Sequence, residues 1–113
     1  MNAILSLDQN DISNEFALHE FPVLIGRSLD ASITLNDRWV SRRHCEIVLC
    51  DDRLMVRDLG SKHGTFVNDC GISESPLLPG DRLTVGLSTF VASYEIDGEK
   101  SPGVESATLV TRE

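Results

Sequence analysis

Cationic and hydroxyl-bearing side chains are concentrated in residues 38–44 (RWVSRRH) and 60–68 (GSKHGTFVN), with a Gly26-Arg27 pair upstream. Arginine presents a planar fork that bonds two phosphate oxygens at once and keeps its charge at neutral pH. A serine hydroxyl or a backbone N–H in a tight turn donates to a further oxygen. These residue types, with no nucleotide-binding loop or metal-ligand set among them, predict a site that holds a phosphate anion without transforming it.

Catalytic and metal-binding alternatives receive less support from the same residues. Ser41, His44 and Asp58 form a hydrolase triad only on paper, because a triad is defined by geometry and the G-x-S-x-G elbow is absent. GSKHGT lacks the glycine spacing and the lysine position of a Walker A loop. No CxxC or HxxxH pair occurs among the nearby potential metal ligands, which are His44, Cys45, His63 and Cys70. We therefore predict no enzymatic activity, no metal and no cofactor.

The charge distribution favours one compact anion over a polyanion. The 113-residue chain has a formal net charge of −8, which disfavours binding to nucleic acid or to an anionic membrane. Seven of its ten Lys and Arg residues nevertheless fall between Arg27 and Lys62. A local basic region on an acidic body is expected, although scattered solvated charges are the alternative on charge alone.

Short apolar segments separated by Gly, Pro, Asn and Asp turns predict an all-β chain, either a sandwich or a barrel. No segment shows the i, i+3, i+4, i+7 spacing of an amphipathic helix over three turns. Asp51-Asp52 predicts a hairpin turn, whereas residues 69–75 (DCGISES) are interpreted as a polar connector. Alternation places Cys45, Ile47 and Leu49 on one face of their strand. The predicted strands are residues 2–7, 15–21, 23–27, 33–35, 44–50, 53–58, 64–68, 82–86 and 89–96.

The chain is predicted to form one domain over residues 1–97, followed by a flexible tail or linker over residues 98–113, where Gly, Pro, Ser and Glu replace the strand pattern. No apolar run approaches the ~20 residues of a membrane helix, and the amino terminus lacks the pattern of a secretory signal. Three cysteines, an odd number, predict reduced thiols. A cytoplasmic location follows as the expectation.

Three blocks in this order resemble a forkhead-associated domain: Gly26-Arg27, Ser41-x-x-His44, and Asp58-Leu59-Gly60-Ser61-x-x-Gly64-Thr65-Phe66-Val67-Asn68. Their separations and the surrounding strand pattern match over about residues 2–96. The resemblance implies an antiparallel sandwich of about eleven strands, with loops at one end that bind phosphothreonine peptides. The implied partner is a phosphothreonine-bearing protein, either a Ser/Thr kinase or its substrate.

The resemblance also assigns roles to single residues. The predicted phosphate-binding residues are Arg27, Ser41, Arg42, Ser61 and Lys62. The predicted peptide-binding residues are Trp39, His63 and Asn68, with Asn68 also expected to shape its loop. The predicted structural residues are Gly26, His44 and Gly64.

Two positions set this chain apart in selectivity. His63 stands where the family commonly has Asn, so affinity and pH response are expected to differ, because histidine changes charge near neutral pH. Trp39 either folds onto the sandwich or lines the subsite for the residue three after the phosphothreonine. Two further hypotheses stay open: a phosphate-independent interaction or oligomerisation scaffold with the same fold, and binding of the chain's own tail after phosphorylation of Thr108 or Thr111.

Overall fold

The computed structural model describes residues 2–8 and 14–96, and within them the chain forms eleven β-strands and no helix. The predicted tail, residues 98–113 with Thr108 and Thr111, lies outside the described residues. No helix that is long and apolar enough to cross a membrane occurs in the described part of the chain. The strands are β1 (Ala3–Leu7), β2 (Glu15–Leu18), β3 (Val23–Gly26), β4 (Ile33–Thr34), β5 (Cys45–Cys50), β6 (Arg53–Asp58), β7 (Thr65–Val67), β8 (Cys70–Ile72), β9 (Glu74–Leu77), β10 (Arg82–Val85) and β11 (Ser88–Ser93).

The strands form two sheets, which confirms the predicted sandwich. One sheet has the order β2-β1-β11-β10-β7-β8 and the other β4-β3-β5-β6-β9. All pairs are antiparallel except β3 and β4, which run parallel with Ile25 opposite Ile33. The connection between these two strands therefore has to loop back over residues 27–32, and this brings Arg27 to the sheet end.

The core lies between the sheets and follows the alternation of the sequence. Cys45 and Ile47 of β5 are buried, as are Phe90 and Ala92 of β11. Leu49, predicted on the same face as Cys45 and Ile47, is 44% exposed, although Leu54 opposite it on β6 is buried. The Tyr94 hydroxyl donates to the Leu77 carbonyl at 2.6 Å and accepts from the Leu54 N–H at 3.2 Å. These bonds connect the end of one sheet to the facing sheet.

The interpretation of residues 69–75 as a connector is wrong, because they contribute β8 and the start of β9. Asn68 and Asp69 have φ values of 50° and 69°, the two consecutive positive values of a type I′ hairpin turn. The chain therefore reverses directly into β8, which pairs with β7. Asp51 and Asp52, with φ values of 52° and 67°, make the equivalent turn that the sequence does predict. The polar composition of residues 69–75 concealed the β7–β8 hairpin, because β8 and the start of β9 lie at the edges of their sheets.

Four connections meet at one end of the sandwich: β3–β4, β4–β5, β6–β7 and β10–β11. Ser28 N–H donates to the Arg42 carbonyl at 3.1 Å, which joins the first two. Lys62 N–H donates to Ser41 Oγ at 3.0 Å and joins the second and third. Leu87 N–H, from the fourth, donates to the Asp37 carboxylate at 2.7 Å. We call this end of the molecule the loop end.

Candidate functional site

Gly26 allows the β3–β4 loop to contact the backbone of the β4–β5 loop directly. A Cβ at this position would lie 2.0 Å from the Arg42 carbonyl oxygen, far inside the 3.0 Å limit for real Cβ atoms. Two hydrogen bonds join the loops, one from Arg27 N–H to the Ser41 carbonyl at 3.0 Å and one from Ser28 N–H to the Arg42 carbonyl. The structural role predicted for Gly26 therefore has a steric cause.

The Arg27 side chain is exposed but oriented. Its Nε–H donates to the Val40 carbonyl at 3.0 Å, and Val40 itself is 1% exposed. A guanidinium carries five N–H bonds, so this contact leaves four on the two terminal nitrogens. The fork is thus held by backbone while its outer edge stays available to an anion.

His44 connects the β4–β5 loop to the β6–β7 loop. Its buried ring accepts the Ser41 backbone N–H at Nδ1 (3.0 Å) and donates from Nε2 to the Gly64 carbonyl (2.8 Å). Since a backbone N–H only donates and a carbonyl only accepts, the ring carries its proton on Nε2. Both ring nitrogens are committed to backbone, so the Ser41–His44–Asp58 triad is not assembled.

Asp58 organises the β6–β7 loop through four hydrogen bonds. Its Oδ2 accepts the N–H groups of Gly60 and Ser61 at 3.0 Å each, and its Oδ1 accepts the hydroxyls of Ser61 (2.5 Å) and Thr65 (2.6 Å). Partial burial raises the pKa of Asp58, but the bonds from Ser61, Thr65 and the backbone outweigh it and leave the pKa below its usual value. The carboxylate is a fixed part of the loop.

Ser61 has a different place from the one the resemblance implies. Its hydroxyl donates to Asp58 and accepts the Gly64 N–H at 3.0 Å, and its own N–H is bonded to Asp58. Both polar groups therefore face into the loop. The structure supports a loop-shaping role for Ser61 in place of direct phosphate contact.

Ser41 and Lys62 lie at the junction of the β4–β5 and β6–β7 loops. Ser41 Oγ accepts the Lys62 N–H, so the hydroxyl proton of Ser41 stays available for donation to a ligand. The Ser41 carbonyl is at the same time bonded to Arg27 N–H. Ser41 thus bonds to the backbone of Arg27 through its carbonyl and to the backbone of Lys62 through its hydroxyl.

The rings of Trp39, in the β4–β5 loop, and His63, in the β6–β7 loop, contact each other. Their rings meet edge to face with centroids 4.8 Å apart and planes at 77°, and the Arg38 guanidinium lies 5.6 Å from the Trp39 ring centre. Trp39 is 41% exposed, so it does not fold into the sandwich core. Two of the three predicted peptide-binding residues therefore lie together on the loop-end surface, where the His63 ring contacts the Trp39 ring.

The cations of the loop end are not neutralised by carboxylates. Arg57 pairs with Glu46 and Glu74 on the outer face of the five-stranded sheet, and Arg82 pairs with Asp8. Across residues 2–8 and 14–96, no carboxylate lies within ion-pair distance of the loop-end cations, which are Arg27, Arg38, Arg42, Arg43 and Lys62.

Asn68 does not belong to the loop end, and its assignment to peptide binding is corrected. Strand β7 carries the chain away from the β6–β7 loop by roughly 10 Å over its three residues. The Asn68 amide donates to Asp81 at 3.1 Å and accepts the Arg82 N–H at 3.0 Å. It fastens the β7–β8 turn to the start of β10.

Two carboxylates and one carbonyl of the site were not predicted from the sequence: those of Asp37, Asp58 and Val40. Asp58 was considered as a triad member and as the first residue of the third family-like block, but not as a hydrogen-bond acceptor. The Asp58-Leu59-Gly60-Ser61 pattern does carry a signal, because an aspartate commonly accepts the N–H groups two and three residues later. Among the described residues, no group of three or more His, Cys, Asp or Glu side chains is placed to hold a metal ion.

Comparison with known proteins identifies relatives over most of this structure. The sequence profile of the FHA domain matches residues 23–86. FhaA of Mycobacterium tuberculosis is 37% identical over 87 residues, covering 77% of this chain and 16% of FhaA. The glycogen accumulation regulator GarA of the same organism is 37% identical over 73 residues, covering 65% of this chain and 45% of GarA. The chain thus spans less than half the length of these two relatives.

A solved FHA domain, from a structural and functional study of phosphothreonine-dependent FHA domain interactions, superposes with a TM-score of 0.77 at 34% identity. The match covers 84% of this chain and 98% of that one. The likeness therefore extends over most of this chain and nearly all of that one.

Proposed function

Because this chain belongs to the forkhead-associated (FHA) domain family, we propose that it is a non-catalytic module that binds phosphothreonine-containing peptides in Ser/Thr-kinase signalling. The observation that carries the proposal is the Arg27 fork, which is oriented by the Val40 carbonyl and has no carboxylate partner in the described part of the chain. Such a group meets a phosphate dianion without first having to break an ion pair. Phosphothreonine carries about −1.5 to −2 charges at neutral pH, which suits a local excess of cations.

Four residues are proposed to hold the phosphate. The terminal nitrogens of Arg27 donate to two phosphate oxygens, and the Ser41 hydroxyl donates to a third. Arg42, which follows Ser41 in the β4–β5 loop, and Lys62, in the β6–β7 loop, supply further positive charge. Ser61 acts indirectly by fixing the β6–β7 loop.

The peptide on either side of the phosphothreonine is proposed to lie over Trp39 and His63. The exposed Trp39 ring offers an apolar surface next to the phosphate site. The His63 ring both donates and accepts hydrogen bonds, as Asn does at this position in the family, so it can bond the peptide main chain. Threonine is preferred over serine through packing of its extra methyl group, a discrimination of roughly 1–3 kcal/mol.

The partner is proposed to be a Ser/Thr kinase or one of its substrates, phosphorylated on threonine. The related solved structure comes from work on phosphothreonine-dependent interactions, and GarA is named as a regulator.

Cys45, Cys50 and Cys70 are free thiols, which fits a reducing compartment such as the cytoplasm.

Calorimetric titration with one peptide in phosphorylated and unphosphorylated forms tests the proposal. We expect binding of the phosphothreonine form alone. Arg27→Ala removes two charge-assisted hydrogen bonds worth about 3 kcal/mol or more in sum, a loss of roughly 100-fold or more in affinity. Arg57→Ala is the matched control, because it removes the same charge from an ion pair on the sheet face.

Two outcomes contradict the proposal. Equal binding of both peptide forms favours the phosphate-independent scaffold. An Arg27→Ala variant that binds as tightly as Arg57→Ala shows that the phosphate does not contact Arg27.

A further inference from the structure

Asp37 connects two loops that are far apart in the sequence. One carboxylate oxygen accepts the Trp39 N–H at 2.9 Å, and the other accepts the Leu87 N–H of the β10–β11 turn at 2.7 Å. These two bonds, the one from Leu87 first, hold the pKa of Asp37 below its usual value. The carboxylate is therefore ionised and bonded at neutral pH.

The β10–β11 turn packs tightly against the same loop. A Cβ at Gly86 would lie 2.5 Å from the Asp37 carboxylate oxygen and 2.5 Å from a Val40 methyl carbon. Only glycine fits between them, and its φ of +61° is unfavourable for other residues as well. The β10–β11 turn thus packs directly against both Asp37 and Val40.

The path from Asp37 to the phosphate site is short and continuous. Val40 N–H donates to the Asp37 carbonyl at 3.0 Å, and the Val40 carbonyl accepts Nε–H of Arg27. The side chain of Asp37 is bonded to Trp39 and to the Leu87 turn, while its main-chain carbonyl is bonded to Val40. A loss of the carboxylate frees the segment that orients the guanidinium.

We infer that Asp37 is a positioning residue for phosphate recognition, which orients Arg27 by fixing the β4–β5 loop to the β10–β11 turn. The inference rests on the proposed function, since it deepens the account of the same site. Within the described residues, Asp37 makes no hydrogen bond or ion pair to Arg27. Its influence passes through the Val40 carbonyl.

The direction in which peptide affinity changes when the Asp37 carboxylate is removed distinguishes a positioning role from a purely electrostatic one. A carboxylate at the loop end repels a phosphate dianion, so its removal would tighten binding if charge alone mattered. A positioning role predicts the opposite, because a freed Arg27 must be ordered again on binding. Asp37→Ala is therefore expected to weaken phosphothreonine-peptide binding by at least tenfold.

Asp30→Ala is the matched control. Asp30 is exposed in the β3–β4 loop at the same end, and its carboxylate makes no hydrogen bond or ion pair within the described residues. The variant removes the same charge and should bind the peptide as tightly as the parent or more tightly. Asp37→Asn keeps one carbonyl oxygen and is expected to bind between Asp37→Ala and the parent.

The second readout is the NMR signal of the Arg27 Nε–H group in the absence of peptide. In the parent and in Asp30→Ala this proton should exchange slowly with solvent, because it is donated to Val40. In Asp37→Ala it should exchange at least tenfold faster. The fluorescence of Trp39, the single tryptophan of the chain, should shift only in the Asp37 variants.

The results decide between the possibilities as follows. Binding by Asp37→Ala that equals or exceeds the parent overturns the inference, and so does weakened binding with unchanged Arg27 exchange. A parent that binds no phosphopeptide refutes the proposed function, while the exchange measurement still decides whether Asp37 orients Arg27. Where Asp37→Ala does not fold, Asp37→Asn supplies both measurements.

Discussion

Gly26→Ala is expected to break the junction between the β3–β4 and β4–β5 loops. The new Cβ would lie 2.0 Å from the Arg42 carbonyl oxygen, so the two segments have to separate by about 1 Å to reach the 3.0 Å limit. The hydrogen bonds from Arg27 N–H and Ser28 N–H, now 3.0 and 3.1 Å, then lengthen to about 4 Å and are lost. Each lost hydrogen bond leaves an N–H group and a carbonyl unpaired and costs about 1–3 kcal/mol, or roughly 2–6 kcal/mol for the two bonds.

That loss is a large share of the ~5–15 kcal/mol that stabilises an ordinary domain. Urea unfolding followed by Trp39 fluorescence and by circular dichroism measures it, and the melting temperature should fall by roughly 10 °C or more. Gly71→Ala is the control, because Gly71 also lies in a strand and an added Cβ would meet only the Phe66 ring at an ordinary 3.5 Å. If Gly26→Ala unfolds at the same urea concentration as Gly71→Ala, the backbone contact does not determine the loop junction.

Two further predictions concern titratable groups. Since the pKa of Asp58 is lowered by folding, its contribution to stability is present above the ordinary value of 3.8 and is lost as pH falls through the lower folded value. Asp58→Asn should therefore be about 1–3 kcal/mol less stable at pH 7, and its free energy of unfolding should fall less between pH 5 and about 2; parallel urea-derived profiles for variant and parent would disprove this. Burial raises the pKa of Cys45 to about 12, so in the native protein a thiol reagent should modify the exposed Cys50 and Cys70 rapidly and Cys45 only after unfolding. Equal modification rates for the three thiols, followed by mass spectrometry, would contradict the buried position of Cys45.

The strands could be predicted wherever alternation and a turn residue agree. β5 and β6 show this best, because apolar residues alternate on both sides of Asp51-Asp52 and the turn has the expected left-handed backbone. β8 could not be recognised in the same way. It is a short edge strand in which Cys70 and Gly71 are exposed and only Ile72 packs against the core, so burial leaves no alternating pattern in its sequence. The Asn68-Asp69 turn was the available signal.

The residues of the loop end could be named from the sequence, but their hydrogen-bond partners could not. Arg27 depends on a carbonyl 13 residues away, and Asp37 depends on an N–H group 50 residues away. Main-chain groups carry no sequence signature, so their use is visible only in the fold. For the same reason the serine at position 61 suggested a phosphate ligand, although its hydroxyl is bonded within its own loop.

A basic site on a chain with a net charge of −8 needs a device that prevents acidic neighbours from neutralising it. At the loop end, Asp37 and Asp58 have their oxygens bonded to backbone N–H groups and hydroxyls, and no cation of residues 2–8 or 14–96 pairs with them. A carboxylate held in this way orders the loop that presents the arginine, and its charge is already stabilised by fixed dipoles. The same residue type that would quench the site as an ion-pair partner therefore builds it as a hydrogen-bond acceptor. It follows that the position of an aspartate within these loops matters more for phosphate recognition than the overall charge of the chain.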